Sequence, residues 1–168
     1  VTGEGSSGFY TGYVNADTIG VYHSKFYAGG DAINTNSTSY HPVVFENNKV
    51  YDAGIYDNIY SSYKRYVDNS FLGSTNKLIF VRIRNTNSSG SSVFKKTSRL
   101  LIQGNTIING RLQVDNQSYR AGSDVRVVSN SLQANSSYNS GDFMYVYSYN
   151  NNGNNYVPDS NTVDISGN

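Results

Sequence analysis

The sequence predicts an all-β solenoid, and three observations carry that prediction. The first is a ten-residue pattern that returns five times. It reads TIGVYHSKFY (18–27), PVVFENNKVY (42–51), RLLIQGNTII (99–108), DVRVVSNSLQ (124–133) and, shortened, TVDISGN (162–168). The second is the fixed place of apolar residues around one polar position. Aligned on Ser24, Asn48, Asn105, Asn130 and Asn168, each unit has apolar residues five and three positions earlier: Ile19 and Val21, Val43 and Phe45, Leu100 and Ile102, Val125 and Val127, Val163 and Ile165. Two positions later stand Phe26, Val50, Ile107 and Leu132. Strand, Asn turn and second strand, repeated, is the unit of a stacked solenoid. The third is composition. With 23 Asn, 24 Ser and 16 Gly among 168 residues the chain is rich in turn formers, while 16 Tyr, 7 Phe and recurrent Val and Ile supply a core. No 3.6-residue apolar stripe of useful length competes with the strand pattern.

Residues 1–17 are rich in Gly, Ser and Tyr and read as an entry loop; residues 18–168 form the solenoid. The first two units stand 24 residues apart (Ser24 to Asn48), and the third and fourth 25 apart (Asn105 to Asn130). The wider gaps, Asn48 to Asn105 and Asn130 to Asn168, leave room for degenerate coils around LIFVRIRN (78–85) and FMYVYSY (143–149), both alternating runs of strand type. About six coils result. Residues 53–76 depart from the repeat and read as an excursion from the stack, with room for a short helical turn. NTNSSGSS (85–92) and YNNNGNNYVPDS (149–160) read as loops. The last unit stops at Asn168 in mid-coil. A solenoid needs a cap over its last apolar face, so the expectation is a piece of a longer chain, or else a cap supplied by another chain.

Charge and composition exclude several classes. A formal net charge of +1, with Lys and Arg scattered, gives none of the basic stripe of a nucleic-acid binder. No run of 18 apolar residues suggests a membrane span, and VTGEGSSGFY has neither the charged nor the apolar region of a signal peptide. Without cysteine there are no disulfides or thiolate metal sites, which leaves the compartment open. No cofactor is expected, and no His/Asp spacing marks a metal site. The recurrent Asn has a structural reading: it tolerates left-handed backbone, and its amide can bond to neighbours in a ladder about 4.8 Å per step.

Alternation also places the outward side chains. If Val43, Phe45 and Val50 face inward, Glu46, Lys49 and Tyr51 face outward, as do Tyr22, Lys25 and Tyr27 one unit earlier. Stacking then sets Lys25 beside Lys49 and Tyr27 beside Tyr51, with Glu46 and Asp52 alongside. Rings offer flat apolar area to pyranose faces, and amines and carboxylates fix hydroxyls or anionic groups. A solvated face with a Tyr ladder is the bland alternative. A second concentration, Asp57, Tyr60, Tyr63, Lys64, Arg65, Tyr66 and Asp68, lies in the excursion and suits either ligand binding or subunit packing.

Strand–Asn turn–strand units in an Asn-, Ser- and Tyr-rich chain without cysteine resemble the right-handed parallel β-helix of the pectate-lyase-like superfamily. Within it they look most like bacteriophage tailspike and receptor-binding proteins. The resemblance covers 18–168 and is one of architecture and repeat style. It implies a homotrimer on the virion surface or otherwise outside the cell, recognising a bacterial surface polysaccharide. Many relatives also cleave that polysaccharide, but the metal-binding Asp cluster and paired Arg of the lyase branch have no counterpart here.

Glycoside hydrolysis needs two carboxylates roughly 5 to 9.5 Å apart. Glu4 and Glu46 are the only glutamates, and Glu46 with Asp52 or Asp57 is the candidate catalytic pair. Candidate ligand-binding residues are Tyr22, Lys25, Tyr27, Lys49, Tyr51, Tyr63 and Arg65. An eliminating enzyme would use a Lys, His, Arg or Tyr base, and His23 and His41 are the only histidines. The reading is glycan recognition, with depolymerase activity left open. A stiff trimeric shaft and a secreted bacterial polysaccharide lyase, hydrolase or epimerase are the alternatives.

Overall fold

The computed structural model of the chain describes residues 2–3, 10–11, 17–28, 30–35, 42–58, 61, 63–84, 98–117, 123–134, 143–148 and 161–168. The described residues form sixteen strands and no helix. In chain order these are β1 (Thr2–Gly3), β2 (Tyr10–Thr11), β3 (Ile19–Tyr22), β4 (Lys25–Ala28), β5 (Asp31–Thr35), β6 (Val43–Glu46), β7 (Lys49–Tyr51) and β8 (Gly54–Asp57). There follow β9 (Tyr63–Val67), β10 (Ser70–Arg84), β11 (Ser98–Gln103), β12 (Thr106–Gln117), β13 (Ser123–Val128), β14 (Ser131–Gln133), β15 (Met144–Ser148) and β16 (Asn161–Ser166).

Two sheets account for all of them. The six-stranded sheet runs β16-β13-β11-β9-β6-β3; the ten-stranded sheet runs β1-β4-β7-β10-β8-β5-β2, with β12 joined to β10 and carrying β14 and β15. Every pairing is parallel. The chain alternates between the sheets, each return to the six-stranded sheet adding a strand beside the previous one. This arrangement is compatible with a β-helix or solenoid.

The inward positions read from the repeat are the core. Val43, Phe45, Val50, Val125 and Val127 have no exposed surface, and Leu100, Ile102 and Ile107 are buried. The Phe45 ring meets Phe26, Tyr66 and Phe71 at centroid distances of 5.9, 5.8 and 6.2 Å. Stacking like on like runs apolar columns through neighbouring units, and Lys64, between Val43 and Leu100, is a charged interruption of one of them. On β16, the outermost strand of its sheet, Val163 and Ile165 are about half exposed.

The polar position forms the expected ladder. Ser24 N–H donates to Asn48 Oδ1, and in turn the backbone N–H and side-chain Nδ2 of Asn48, Asn69, Asn105 and Asn130 donate to Oδ1 of the next Asn, at 2.9 to 3.1 Å. Each Nδ2 also donates to a strand carbonyl in the preceding unit: Val21, Phe45, Tyr66, Ile102 and, from Asn168, Val127. One part of the sequence reading is corrected. The left-handed residue is not the ladder Asn but the one before it: His23, Asn47, Asp68, Gly104, Ser129 and Gly167 all have φ between 48° and 66°. The ladder Asn is recruited for its amide, and the tight reversal is taken by its neighbour.

Residues 53–76, set apart in the sequence as an excursion, contribute β8, β9 and part of β10 to the two sheets, and Asn69 is a full member of the ladder. Lys64 hides this unit, because it stands where the other units carry Val43, Leu100 or Val125. Residues 78–84 and 144–148 are strands, as their alternation predicts. They pair with β8 and β12, and with β12, in the ten-stranded sheet, so they continue units that already own a ladder Asn. The entry segment holds β1 and β2, paired with β4 and β5. The loops expected at 85–92 and 149–160, and Tyr60 and His41, lie outside the described residues.

Candidate functional site

Three outward columns cross the six-stranded sheet, fixed by its register. One runs Tyr63, Arg99, Asp124, Thr162; the next runs Val44, Arg65, Leu101, Arg126, Asp164; the third runs Tyr22, Glu46, Val67, Gln103 and Val128, with Val67 itself buried. Between β9 and β16 these side chains bound an open groove of about 500 Å³, lined among others by Tyr63, Arg99, Gln103, Asp124, Arg126 and Asp164. The groove follows from the period-two alternation of each strand: the residues that fill the core, Leu100, Ile102, Val125 and Val127, force their neighbours outward.

The groove's charges are partly matched. Arg126 Nε donates to Asp124 Oδ1 at 3.1 Å, and Thr162 Oγ1 reaches the same oxygen at 3.3 Å. That hydrogen bond, the Asp124 charge and the nearby Asp164 raise the Arg126 pKa further, so it stays a cation throughout the working range. Arg99 stands between Tyr63 and Asp124 in the first column. Tyr63 is 37% exposed and adds an aromatic side chain to the groove's lining. A ring face, two guanidinium forks and two carboxylates along a shallow channel suit a polyhydroxylated, partly anionic chain.

The residues singled out in the sequence are distributed over several surfaces. Tyr27 and Tyr51 do stack, with ring centroids 4.6 Å apart and planes 2° from parallel, and Lys25 pairs with Lys49. These four lie on the outer side of the ten-stranded sheet. Glu46 is not alongside them: it projects from the six-stranded sheet, opposite Tyr22 in register, and accepts a hydrogen bond from Arg65 Nε. That contact is the first cause of the raised Arg65 pKa. Asp52 occupies a left-handed turn (φ 51°) after β7 and accepts from Ser74 N–H at 2.5 Å, and bonding to Ser74 holds its carboxyl below the usual range. Asp57 is fully buried, bonded to Thr35, Lys64 and Tyr66.

The three carboxylates proposed for catalysis therefore occupy a pairing on one sheet, a turn beside the other, and the interior. Asp57 faces inward because it falls in the column of Thr35, Val81, Val114 and Val146, so it is corrected from a surface residue to a core one. Among the described residues, Tyr63 alone of those singled out lines the groove, with Arg65 on the same strand two residues on. His23 is exposed at a left-handed turn.

The sequence reading missed Arg99, Asp124, Arg126 and Asp164. The signal was present in the repeat: they stand six and four positions before Asn105, Asn130 and Asn168, the outward places of the same alignment that located the core. No protein-family model, curated protein or solved structure matches the chain.

Proposed function

We propose that this chain is a right-handed parallel β-helix of about six coils that binds a bacterial surface polysaccharide along its outer face, as phage tailspike and receptor-binding proteins do. The groove over β9, β11, β13 and β16 carries the reading: it combines an exposed ring, two arginines and two aspartates on a rigid surface. Support for the architecture comes from six strands in one sheet, each ending at a member of the Asn ladder or at Ser24. The hand rests on the rule that parallel crossovers are right-handed in about 98% of cases.

A homotrimer on the virion surface, or another extracellular setting, belongs to the same proposal. Its support is a stripe on the ten-stranded sheet, exposed Tyr27 and the partly buried Tyr51, Leu72 and Ile108, which stand in one register column and are suited to packing against further copies. The same stripe favours the second reading, a trimeric shaft with no glycan partner.

The test is incubation of the purified chain with a panel of capsular and O-antigen polysaccharides, scored for binding, for new reducing ends and for unsaturated uronates. Binding of one polysaccharide supports the proposal, and cleavage extends it to a depolymerase. Binding of none, with a stable trimer, leaves the shaft.

A further inference from the structure

The core holds a cluster for which glycan binding has no use. Lys64 on β9 and Asp57 on β8 are both 0% exposed, and Lys64 Nζ lies 2.7 Å from Asp57 Oδ1. Thr35 Oγ1 donates to that same oxygen at 2.5 Å, and the Tyr66 hydroxyl donates to Asp57 Oδ2 at 2.5 Å. β9 belongs to the six-stranded sheet and β8 to the ten-stranded sheet, so the contact spans the core from wall to wall. Lys64 stands in register between Val43 and Leu100, in a column otherwise built of aliphatic side chains.

An amine in such a column is costly. Taking two charges out of water is not fully compensated by their attraction, and an apolar pair of similar volume serves stability as well or better. An amide removes both charges and keeps the span between the walls. We propose that Lys64 and Asp57 are covalently joined by an amide bond from Nζ to Cγ, formed within the folded chain. The Nζ–Cγ bond forms and the Cγ–Oδ2 bond breaks. Two of the three ammonium protons leave with Oδ2 as one molecule of water, and no oxidant or co-reactant is needed.

The neighbours fit the two oxygens to different fates. Oδ1, held by Thr35, stays as the amide carbonyl, and the Thr35 hydroxyl stabilises the negative charge that gathers there during attack. Oδ2 is the leaving oxygen, and the Tyr66 hydroxyl relays a proton to it and is reprotonated from the nitrogen. Burial, and then the Asp57 charge and the hydrogen bond to it, push the Tyr66 pKa well above its ordinary value, so its proton is in place at neutral pH. Holding amine and carboxyl in contact makes the step intramolecular, which supplies much of what a free amine and acid would lack.

The first measurement is the intact mass of the denatured, purified chain. The expected mass is one water below that of the sequence, with a branched peptide joining Lys64 to Asp57 and no tryptic cleavage after Lys64. Asp57→Ala and Lys64→Met should each carry their full calculated mass. Asp57→Asn is the diagnostic variant: it should close the same bond with loss of ammonia and arrive at the wild-type mass. Tyr66→Phe should lose its water more slowly than the wild type, so the freshly synthesised variant should retain a fraction at full mass that declines on incubation. A wild-type mass equal to that of the sequence, or a deficit that maps to other residues, would overturn the proposal whether or not any variant folds.

Discussion

Replacing Asn105 by alanine is the sharpest test of what holds the stack together. Its Nδ2 donates to Asn130 Oδ1 at 2.9 Å and to the Tyr66 carbonyl at 3.0 Å, and its Oδ1 accepts from Asn69 N–H and Nδ2 at 3.0 and 2.9 Å. The residue is 1% exposed, so water cannot replace these partners. Some damage is contained. Asn69 Nδ2 keeps its bond to the Phe45 carbonyl, and Asn130 Oδ1 keeps the Asn105 backbone N–H. The Asn69 backbone N–H loses its side-chain acceptor. At about 1 kcal/mol net per buried bond, and more for an orphaned donor, Asn105→Ala should cost about 3 to 5 kcal/mol. That is a large part of a typical domain's stability. Urea unfolding followed by far-UV circular dichroism measures it, and the slope with urea should match the wild type. Asn168→Ala, at an exposed position, is the control and should cost about 1 kcal/mol. A loss below about 1 kcal/mol at Asn105 would refute the ladder as a main source of stability.

The turn positions make predictions of opposite sign. Gly104 has φ 66° and an added Cβ would run into Asp68 Oδ1, so Gly104→Ala should destabilise by at least about 1 kcal/mol; Ser129→Gly at φ 55° should stabilise by up to about that amount in the same unfolding assay. Alkaline pH should unfold the chain through Tyr66. Its pKa is raised in the fold above the ordinary 10.0, so above pH 10 the unfolded chain loses this proton while the folded chain keeps it. The contribution is therefore complete below pH 10 and declines by up to about 1.4 kcal/mol per pH unit above it, and Tyr66→Phe should abolish that part of the slope. Glu46→Gln breaks an exposed pairing with Arg65, so thermal unfolding should register a change of less than about 1 kcal/mol. Glycan binding should be unchanged in the same variant, since Glu46 stands outside the groove.

What could be read from the chain alone follows from which forces are periodic. Core columns repeat at fixed offsets from the Asn, so Val43, Phe45, Leu100, Ile102, Val125 and Val127 were legible, and so was the stacking of Tyr27 on Tyr51. The unit at Asn69 was not, because Lys64 broke the apolar signature and only a partner on another strand, Asp57, makes a lysine there tolerable. The left-handed residue was misplaced by one position, since propensity favours Asn in that conformation but cannot say which of two adjacent residues adopts it. The groove was missed for a different reason. The chemistry was sought in carboxylates close in sequence, Glu46, Asp52 and Asp57, whereas stacking unites residues one unit apart, such as Arg99 with Asp124 and Arg126 with Asp164.

The most direct test of the functional reading is calorimetric titration of the chain and its surface variants with fragments of whichever polysaccharide binds. The account predicts that Tyr63→Ala and Arg99→Ala each weaken binding by roughly tenfold or more, about 1.4 kcal/mol, while Lys25→Ala and Tyr27→Ala on the other sheet bind as the wild type does. Groove variants with unchanged affinity, or a loss confined to Lys25 and Tyr27, would contradict it.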